Sequence, residues 1–263
     1  MTNVLLVGCG KMGTAMLAGW LEMGLDPEGI VVVEPSGTMP PSDTVVVGPD
    51  QIPADFVPDV VVLAVKPQVM EQVVPAYARY AGRAVFLSIA AGRPIAFFER
   101  LLGPAAIVRA MPNTPAAVGR GITVCCANAR VESGARAVCQ QLLEAVGEVA
   151  WLDDEGLMDA VTAVSGSGPA YVFLLAEVMA AAGAAQGLPP ELATRLARAT
   201  VSGSGELLRR SPEPADQLRR NVTSPGGTTA AALSVLMAEG AGMAEMMTAA
   251  VAAATRRGKE LAG

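Results

Sequence analysis

The stretch 4-VLLVGCGKMG-13 contains the strongest indication of the fold. The apolar run Val4–Val7 is typical of a buried strand, and the apolar-periodic run that follows the stretch predicts a helix. In a GxGxxG turn, Gly8 permits the tight bend, Gly10 lets the backbone approach a pyrophosphate, and Gly13 lets the helix pack closely on the strand. The stretch therefore predicts the first unit of a dinucleotide-binding domain. A purely structural glycine turn is the alternative.

The first half of the chain continues with short β-branched runs that alternate with helical patterns. Alternation of this kind is typical of a parallel sheet wrapped by helices. The predicted strands are Val4–Val7, Ile30–Glu34, Val60–Val65, Ala84–Ile89 and Ile107–Arg109, with Ile122–Cys126 and Val149–Trp151 as candidates at one edge. We therefore predict an α/β, Rossmann-type doubly wound sheet over residues 1–151.

After Trp151 the strand signals stop and Ala, Leu, Met and Gly recur at helical spacing, which predicts an all-helical second domain over residues 152–263. Its last helix has an apolar stripe with helical periodicity. We interpret this stripe as an ordinary core face, and a subunit interface is the alternative. The stripe consists of Met243, Met246, Met247, Ala250, Val251 and Ala254.

Composition excludes several classes of function. The formal net charge of −6 argues against a nucleic-acid or anionic-membrane partner. The N-terminus lacks a secretory signal, and we find no uninterrupted apolar segment of membrane-spanning length, so we expect a cytoplasmic protein. The chain has 0 histidines, which excludes Ser-His-Asp or Cys-His nucleophiles and histidine-ligated metals, and its 4 cysteines form no CxxC motif. We expect no metal site.

Glu34 bears on the choice of cofactor. It ends the second predicted strand, where an acidic side chain commonly binds the free 2′-hydroxyl of NADH. Between Lys11 and Lys66 the sequence has no Lys or Arg that would favour the 2′-phosphate of NADPH. The sequence therefore favours NADH. The alternative is that Glu34 ends a surface strand and points to solvent.

A second motif, 223-TSPGGTT-229, precedes an alanine-rich run that reads as a helix. Pro and Gly mark a turn, and the start of a helix leaves backbone N–H groups unpaired. Such a helix start is suited to a small anion. The alternative for Thr228 and Thr229 is a helix cap without a ligand.

Taken in order, six motifs spread over the whole chain resemble those of pyrroline-5-carboxylate reductases. They are 8-GCGKMG-13, 64-AVKPQ-68, 90-AAG-92, 109-RAMPNTPA-116, 165-SGSGPAY-171 and 223-TSPGGTT-229. The resemblance implies NAD(P)H-dependent reduction of the cyclic imine 1-pyrroline-5-carboxylate to L-proline, the final step of proline biosynthesis. It also implies a helical domain that interlocks in a homodimer, and in this family dimers commonly assemble into decamers.

Site residues follow from matching the motifs position by position. The resemblance implies that Thr229 is catalytic and hydrogen-bonds the ring nitrogen. The implied substrate-binding residues are Glu155, Ser224, Gly226, Gly227, Thr228 and Thr229. The implied cofactor-binding residues are Gly8, Gly10, Lys11, Met12, Gly13, Glu34, Ser36, Ala64, Val65, Lys66, Pro67, Ala90, Ala91, Gly92, Asn113 and Asn221.

Some of these assignments have alternatives. Glu155, predicted at the start of the first long helix of the second domain, and Asn221 fit helix-terminal surface positions equally well. Lys66 fits a solvated surface lysine. Lys11 departs from the family pattern, in which Asn or Gln is common at this position. The acidic loop around Glu34 is also unlike the loops of members that prefer NADPH, which leaves the cofactor preference open.

Two other classes of function remain as alternatives. A β-hydroxyacid dehydrogenase would share the two-domain plan but needs a catalytic lysine on a helix of the second domain, where the sequence has only Lys259. A non-catalytic dinucleotide-sensing module would explain GCGKMG but leaves TSPGGTT without a role. Turnover of an imine with a reduced nicotinamide separates these alternatives from the reductase.

Overall fold

The computed structural model describes residues 2–36 and 44–262. Its centre is an eight-stranded sheet in the order β3-β2-β1-β4-β5-β6-β7-β8. The strands are β1 (Val4–Val7), β2 (Ile30–Val33), β3 (Thr44–Val46), β4 (Val60–Leu63), β5 (Val85–Ser88), β6 (Ala106–Met111), β7 (Gly121–Ala127) and β8 (Gly147–Trp151). All neighbouring strands pair in parallel except β6 and β7. The strand order reverses between β1 and β4, where open α/β sheets bind ligands.

The predicted strands lie where the sequence placed them, and their ends differ by a few residues. The strand predicted over Ile30–Glu34 ends at Val33, and the one over Val60–Val65 ends at Leu63. Glu34 and Val65 therefore lie beyond the strand ends, at the carboxyl edge of the sheet. Strand β3 was not predicted, because three residues are too short for a detectable period.

The helices are α1 (Lys11–Glu22), α2 (Met70–Val73), α3 (Ile95–Leu102), α4 (Ser133–Glu144), α5 (Met158–Val161), α6 (Gly168–Ala185), α7 (Pro190–Arg210), α8 (Ala215–Asn221), α9 (Thr228–Leu236) and α10 (Met243–Ala262). The core of the sheet domain forms two clusters, because successive strand residues point to opposite faces. Leu5 and Val7 of β1 lie in one cluster with α3, and Val4 and Leu6 lie in the other with α1 and α4.

Contacts within the chain form two compact units, Met1–Gly166 with Ala254–Gly263, and Ser167–Ala253. The second unit contains α6 to α9 and the first part of α10. In this unit, all of whose residues the structure describes, the buried hydrophobic side chains are Ala193 and Ala197. The division after Gly166 comes from contacts within one chain, and the predicted boundary near Leu152 stays a prediction.

The apolar stripe on α10 is not a core face within one chain, so that interpretation is wrong. Met243 is 40% exposed, Met246 61% and Met247 40%. Large apolar side chains of α6 are exposed as well, Phe173 at 67% among them. An apolar helix face without a partner in its own chain is expected to be covered by another chain.

One helical segment has the length and composition of a membrane span, although Glu155, Asp159 and Glu177 interrupt its apolar residues. The helical segment Glu155–Ala185 is long and apolar enough to cross a membrane, with a mean hydropathy of 1.5 in its most apolar window and 0% of that window buried. The reason is α6, in which Glu177 is the sole charged residue. A helix that is apolar on every side is one that becomes buried, in a protein assembly or in lipid.

Candidate active site

The glycine turn has the geometry that a dinucleotide-binding loop requires. Gly8 has φ +88°, and its N–H donates to the Val33 carbonyl at 2.8 Å. A Cβ on Gly13 would lie 2.6 Å from the Gly8 carbonyl oxygen, so only glycine lets the helix approach the strand. A Cβ on Gly10 would meet nothing within 4 Å, so this side of the loop is open to a ligand.

Unpaired backbone donors lie at the start of α1. Gly10 is the N-cap residue and makes no side-chain cap. The N–H of Thr14 donates to the Gly10 carbonyl at 2.8 Å. Among the described residues, no acceptor is found for the N–H groups of Lys11, Met12 and Gly13. These donors and the positive end of the helix dipole fit a pyrophosphate, and the exposed Lys11 adds a cation nearby.

Glu34 turns toward the glycine loop rather than toward solvent. Its Oε2 accepts a hydrogen bond from the Cys9 N–H at 2.7 Å, and its Oε1 accepts one from the Ser36 N–H at 3.0 Å. Partial burial alone would raise the pKa of the Glu34 carboxyl, but the hydrogen bonds from Cys9 and Ser36 outweigh burial and lower the pKa below its ordinary value. The fixed negative charge therefore lies beside the loop predicted to bind the cofactor.

Two further loops follow the carboxyl ends of β4 and β5. The Ala64 N–H extends the parallel ladder by donating to the Val7 carbonyl at 2.8 Å, and the next residues, Val65 and the exposed Lys66, leave the sheet. After β5, the Ala90 N–H donates to Ser88 Oγ at 3.3 Å. Ala91 is exposed, and Gly92 has φ +70°, a conformation that favours glycine.

The two predicted asparagines already have partners in the fold. Asn113 Oδ1 accepts a hydrogen bond from the Ile122 N–H at 2.9 Å, which fixes the turn before β7. Asn221 is the last residue of α8, where its Nδ2 donates to Glu213 Oε2 at 2.9 Å and its Oδ1 accepts from Gln217 Nε2 at 2.7 Å. Their roles toward the cofactor stay predictions.

The loop 223-TSPGGTT-229 ends in the first turn of α9. The N-cap residue is Gly227, and no side chain caps the helix, so Thr228 and Thr229 are the first two helical residues. The interpretation of these threonines as a cap alone is therefore wrong. Thr228 is exposed and Thr229 is half-buried.

Of the two glycines that the resemblance assigns to substrate binding, Gly227 has a backbone N–H that is already paired. The Gly227 N–H donates to the Ser224 carbonyl at 3.1 Å, within the turn that Gly226 allows by adopting φ +69°. Over the described parts of the chain, the N–H groups of Thr228, Thr229 and Ala230 have no acceptor. An anion at this helix start would therefore meet these donors rather than the Gly227 N–H.

Glu155 is the first residue of the helical segment Glu155–Ala185, as predicted. It begins a single 3₁₀ turn, Glu155–Leu157, and its Oε1 accepts from Arg109 Nη1 at 2.9 Å and from the Ile95 N–H at 2.8 Å. Arg109 is buried in β6 and Glu155 is partly exposed, so this ion pair is partly buried. Because the carboxylate of Glu155 is held by Arg109 and by the Ile95 N–H, the alternative of a helix-terminal surface residue does not describe it.

The cysteines are buried with free thiols. Burial raises the pKa of Cys139 to about 12, and it also raises the pKa of Cys9 in the glycine loop. A buried thiol with a raised pKa is a poor nucleophile. Cys9 therefore contributes to the loop mainly through its backbone N–H.

Comparison with known proteins decides the family. A family model described as pyrroline-5-carboxylate reductase dimerisation matches residues 155–261, and one described as NADP oxidoreductase coenzyme F420-dependent matches residues 3–92. Pyrroline-5-carboxylate reductase of a Synechocystis strain is 43% identical over 261 residues, covering 97% of each chain. The Pseudomonas aeruginosa enzyme is 40% identical, covering 99% of this chain and 97% of its own.

The chain belongs to the pyrroline-5-carboxylate reductase family. A solved pyrroline-5-carboxylate reductase of Coxiella burnetii matches with a TM-score of 0.92 and 33% identity, over 100% of this chain and 99% of its own. The Plasmodium falciparum enzyme, solved with NADP bound, matches with a TM-score of 0.84 and 30% identity, over 100% and 98%. These matches confirm the predicted family, the fold class and the enzyme class, an NAD(P)H-dependent oxidoreductase.

Membership of the pyrroline-5-carboxylate reductases also decides between the predicted classes of function, since it favours the reductase over a dehydrogenase or a sensing module. The region that contains the exposed stripe of α10 is a dimerisation domain.

One residue of the site was missed. Arg109 was quoted within 109-RAMPNTPA-116 but given no role, although an arginine inside a buried strand signals an acidic partner.

Proposed function

We propose that this chain reduces 1-pyrroline-5-carboxylate to L-proline, the last step of proline biosynthesis. The observation that carries the proposal is the open helix start at Gly227–Thr229, because it offers donors for a carboxylate and a hydroxyl beside them. The reaction also suits a chain with 0 histidines. A protonated imine accepts a hydride readily, so the site needs alignment and electrostatics more than a strong acid.

The substrate carboxylate binds at the first turn of α9. The N–H groups of Thr228, Thr229 and Ala230, together with the Thr228 hydroxyl, provide the donors. Ser224 and Gly227 form the turn that holds this helix start in place, since the Ser224 carbonyl accepts the Gly227 N–H. Gly226 lets the backbone reverse before it.

Thr229 hydrogen-bonds the ring nitrogen of the substrate. Threonine is a weak acid, so its hydroxyl orients the nitrogen and relays a proton from water instead of acting as a true general acid. Its half-buried position allows a fixed hydroxyl that a ligand can still reach. Within the described residues no protein group binds this hydroxyl.

The sheet domain holds the reduced nicotinamide cofactor, which supplies the hydride. The start of α1 at Lys11, Met12 and Gly13 binds the pyrophosphate, because its donors are unpaired. Glu34, with Ser36 beside it, lies at the adenosine ribose. A fixed carboxylate there favours a free 2′-hydroxyl over a 2′-phosphate, so we propose that NADH is used at least as well as NADPH.

The remaining cofactor contacts come from the loops after β4 and β5. Ala64, Val65, Lys66 and Pro67 lie along the cofactor, with the exposed Lys66 near a ribose or a phosphate. Ala90, Ala91 and Gly92 are small enough to let the nicotinamide half lie against the backbone. Asn113 and Asn221 contribute polar contacts through atoms that their partners in the fold leave available.

We further propose that the homodimer assembles into a decamer and that the protein is cytoplasmic. The apolar faces of α6 and α10 support association, since large side chains such as Phe173 and Met246 are exposed in one chain. The apolar character of Glu155–Ala185 then reflects burial between subunits and not in lipid.

One rate measurement tests the proposed function. The purified protein is mixed with pyrroline-5-carboxylate and either NADH or NADPH, and the loss of reduced cofactor is followed by absorbance. We expect turnover with at least one cofactor and formation of proline in equal amount. A folded, oligomeric protein that reduces the imine with neither cofactor would overturn the proposal.

A further inference from the structure

The loop between β5 and α3 is held at both ends by hydrogen bonds to side chains. At its start, the side chain of Ser88, which is 0% exposed, accepts the Ala90 N–H. At its end, the Ile95 N–H, at the first position of α3, donates to Glu155 Oε1 at 2.8 Å. The residues between these anchors, Ala90–Gly92, form the short segment assigned above to the nicotinamide half of the cofactor.

The same loop is connected to the neighbouring cofactor loop. Arg93 Nε donates to the Pro67 carbonyl at 3.2 Å, and the Arg93 guanidinium lies 4.8 Å from the centre of the Phe97 ring. Phe97 is a core residue of α3. The segments after β4 and β5 are therefore linked to each other and to the start of one helix.

The carboxylate that anchors the Ile95 end also forms an ion pair, in which Arg109 is buried and Glu155 is partly exposed. Arg109 Nη1 lies 2.9 Å from Glu155 Oε1, and the two side chains are 7% and 30% exposed. Arg109 is also the register partner of Ser88 across β5 and β6. Ser88, which holds one end of the loop, and Arg109, which pairs with the carboxylate at the other end, thus occupy facing positions on neighbouring strands.

The main effect of this ion pair is to fix the position of the Glu155 carboxylate, and its contribution to the stability of the fold is small. A buried ion pair contributes little net stability over an apolar pair of the same size, because both charges lose their hydration. It does impose a defined geometry, since the arginine holds the carboxylate in one place. A carboxylate held in this way offers a strong acceptor to the first N–H of α3.

We propose that Arg109 and Glu155 position the Ala90–Gly92 loop for the nicotinamide half of the cofactor, and that Glu155 acts through this loop without touching the substrate. The inference rests on the proposed function, which gives the loop its ligand. It replaces the substrate-binding role that family resemblance implies for Glu155. Arg109 and Glu155 are positioning residues, and Thr229 remains the catalytic one.

The two roles of Glu155 make different kinetic predictions. If Glu155 binds substrate, its loss raises the KM of the imine and leaves cofactor affinity unchanged. If Glu155 positions the loop, its loss weakens the binding of the reduced cofactor, and loss of Arg109 has the same effect. The effects of the two substitutions on the free energy of cofactor binding are then not additive, because each substitution disrupts the same interaction.

The experiment compares Glu155→Gln, Arg109→Lys and the double variant with the wild type. Dissociation constants of NADH and NADPH are measured without substrate by the fluorescence of the reduced nicotinamide, and the KM of the imine is measured at saturating cofactor. We expect each single variant to weaken cofactor binding about fivefold and the double variant by no more than about tenfold. We expect the imine KM to change less than twofold.

The chain provides a matched control in the exposed pair Arg100–Glu71. This pair also includes a residue of α3, and its side chains are 61% and 60% exposed at a distance of 3.1 Å. Glu71→Gln removes the same charge from the same helix neighbourhood, away from the loop. We expect it to leave cofactor affinity and the imine KM at wild-type values.

Several results would overturn the positioning role. A raised imine KM with unchanged cofactor affinity would make Glu155 a substrate ligand. A lowered Tm with unchanged affinity would make the pair purely structural. Should Glu155→Gln fail to fold, Glu155→Asp keeps the charge but shortens the side chain, and wild-type cofactor affinity in that variant would also refute the role. A wild type that binds cofactor but does not reduce the imine would refute the proposed function alone, since the affinity comparison needs no turnover.

Discussion

Replacing Glu34 with serine should shift the cofactor preference toward NADPH. In the folded chain both carboxylate oxygens of Glu34 are hydrogen-bonded, at 2.7 Å to the Cys9 N–H and at 3.0 Å to the Ser36 N–H. The negative charge is therefore fixed in position beside the glycine loop. A 2′-phosphate adds roughly two negative charges at neutral pH, which must approach this carboxylate if Glu34 faces the adenosine ribose.

The magnitude follows from the exposure of the site. Two like charges about 4 Å apart in water repel by about 1 kcal/mol, roughly fivefold in affinity, and salt screens part of this. In Glu34→Ser the repulsion is removed and the Cys9 N–H loses its acceptor, so a phosphate oxygen can take that place. We expect kcat/KM for NADPH relative to NADH to rise at least fivefold, and to rise less at high salt.

The assay is kcat/KM for both cofactors at low and high ionic strength, for the wild type and Glu34→Ser. Glu28→Ser is the matched control, because Glu28 is an exposed glutamate that precedes β2 at the opposite end of the strand. We expect this control to leave the ratio unchanged. If the wild type prefers NADPH tenfold or more and Glu34→Ser does not change the ratio, Glu34 does not face the adenosine ribose.

Three further outcomes are expected. Thr229→Ala should lower kcat on the order of 10²-fold while the NADH dissociation constant stays the same, and wild-type turnover in the folded variant would remove Thr229 from the mechanism. Light scattering at micromolar concentration should give at least a dimer, and a monomer mass would contradict the role assigned to the stripe that begins at Met243. The lowered pKa of Glu34 means that its ionised form stabilises the fold above the unfolded value of about 4.3, and that this contribution is lost as pH falls through the lower folded value. The difference in unfolding free energy between wild type and Glu34→Gln should therefore be complete at pH 7 and shrink below about pH 4; a difference that is constant with pH would mean that the carboxylate makes no stabilising hydrogen bonds.

Sequence predicted the parts of the site that depend on local chain geometry. Gly8 and Gly13 lie where a tight turn and a close helix approach demand glycine, and the strand ends place Glu34 at the ligand edge of the sheet. The partners of Glu155 could not be predicted in the same way. Arg109 lies 46 positions away in the chain, and only the folded sheet brings the two together. A periodic sequence pattern predicts which side of a helix or strand is buried, but it does not predict which distant charged residue will pair with a residue on that element.

The misinterpreted stripe on α10 has a similar physical origin, because a sequence pattern does not distinguish burial within a chain from burial between chains. Burying a Leu, Phe or Met side chain contributes about 1.5–3 kcal/mol, whereas ordering a residue costs about 1–2 kcal/mol of backbone entropy. The unit Ser167–Ala253, described throughout, buries only alanines among its hydrophobic side chains and leaves Phe173 and Met246 more than half exposed. One chain therefore recovers little of the free energy that ordering these helices costs. This unit lies within the region that matches the dimerisation family model, so we expect a second copy to cover the exposed surface and folding to be coupled to assembly. We expect the same assembly to bury α6, a helix that is apolar on every side.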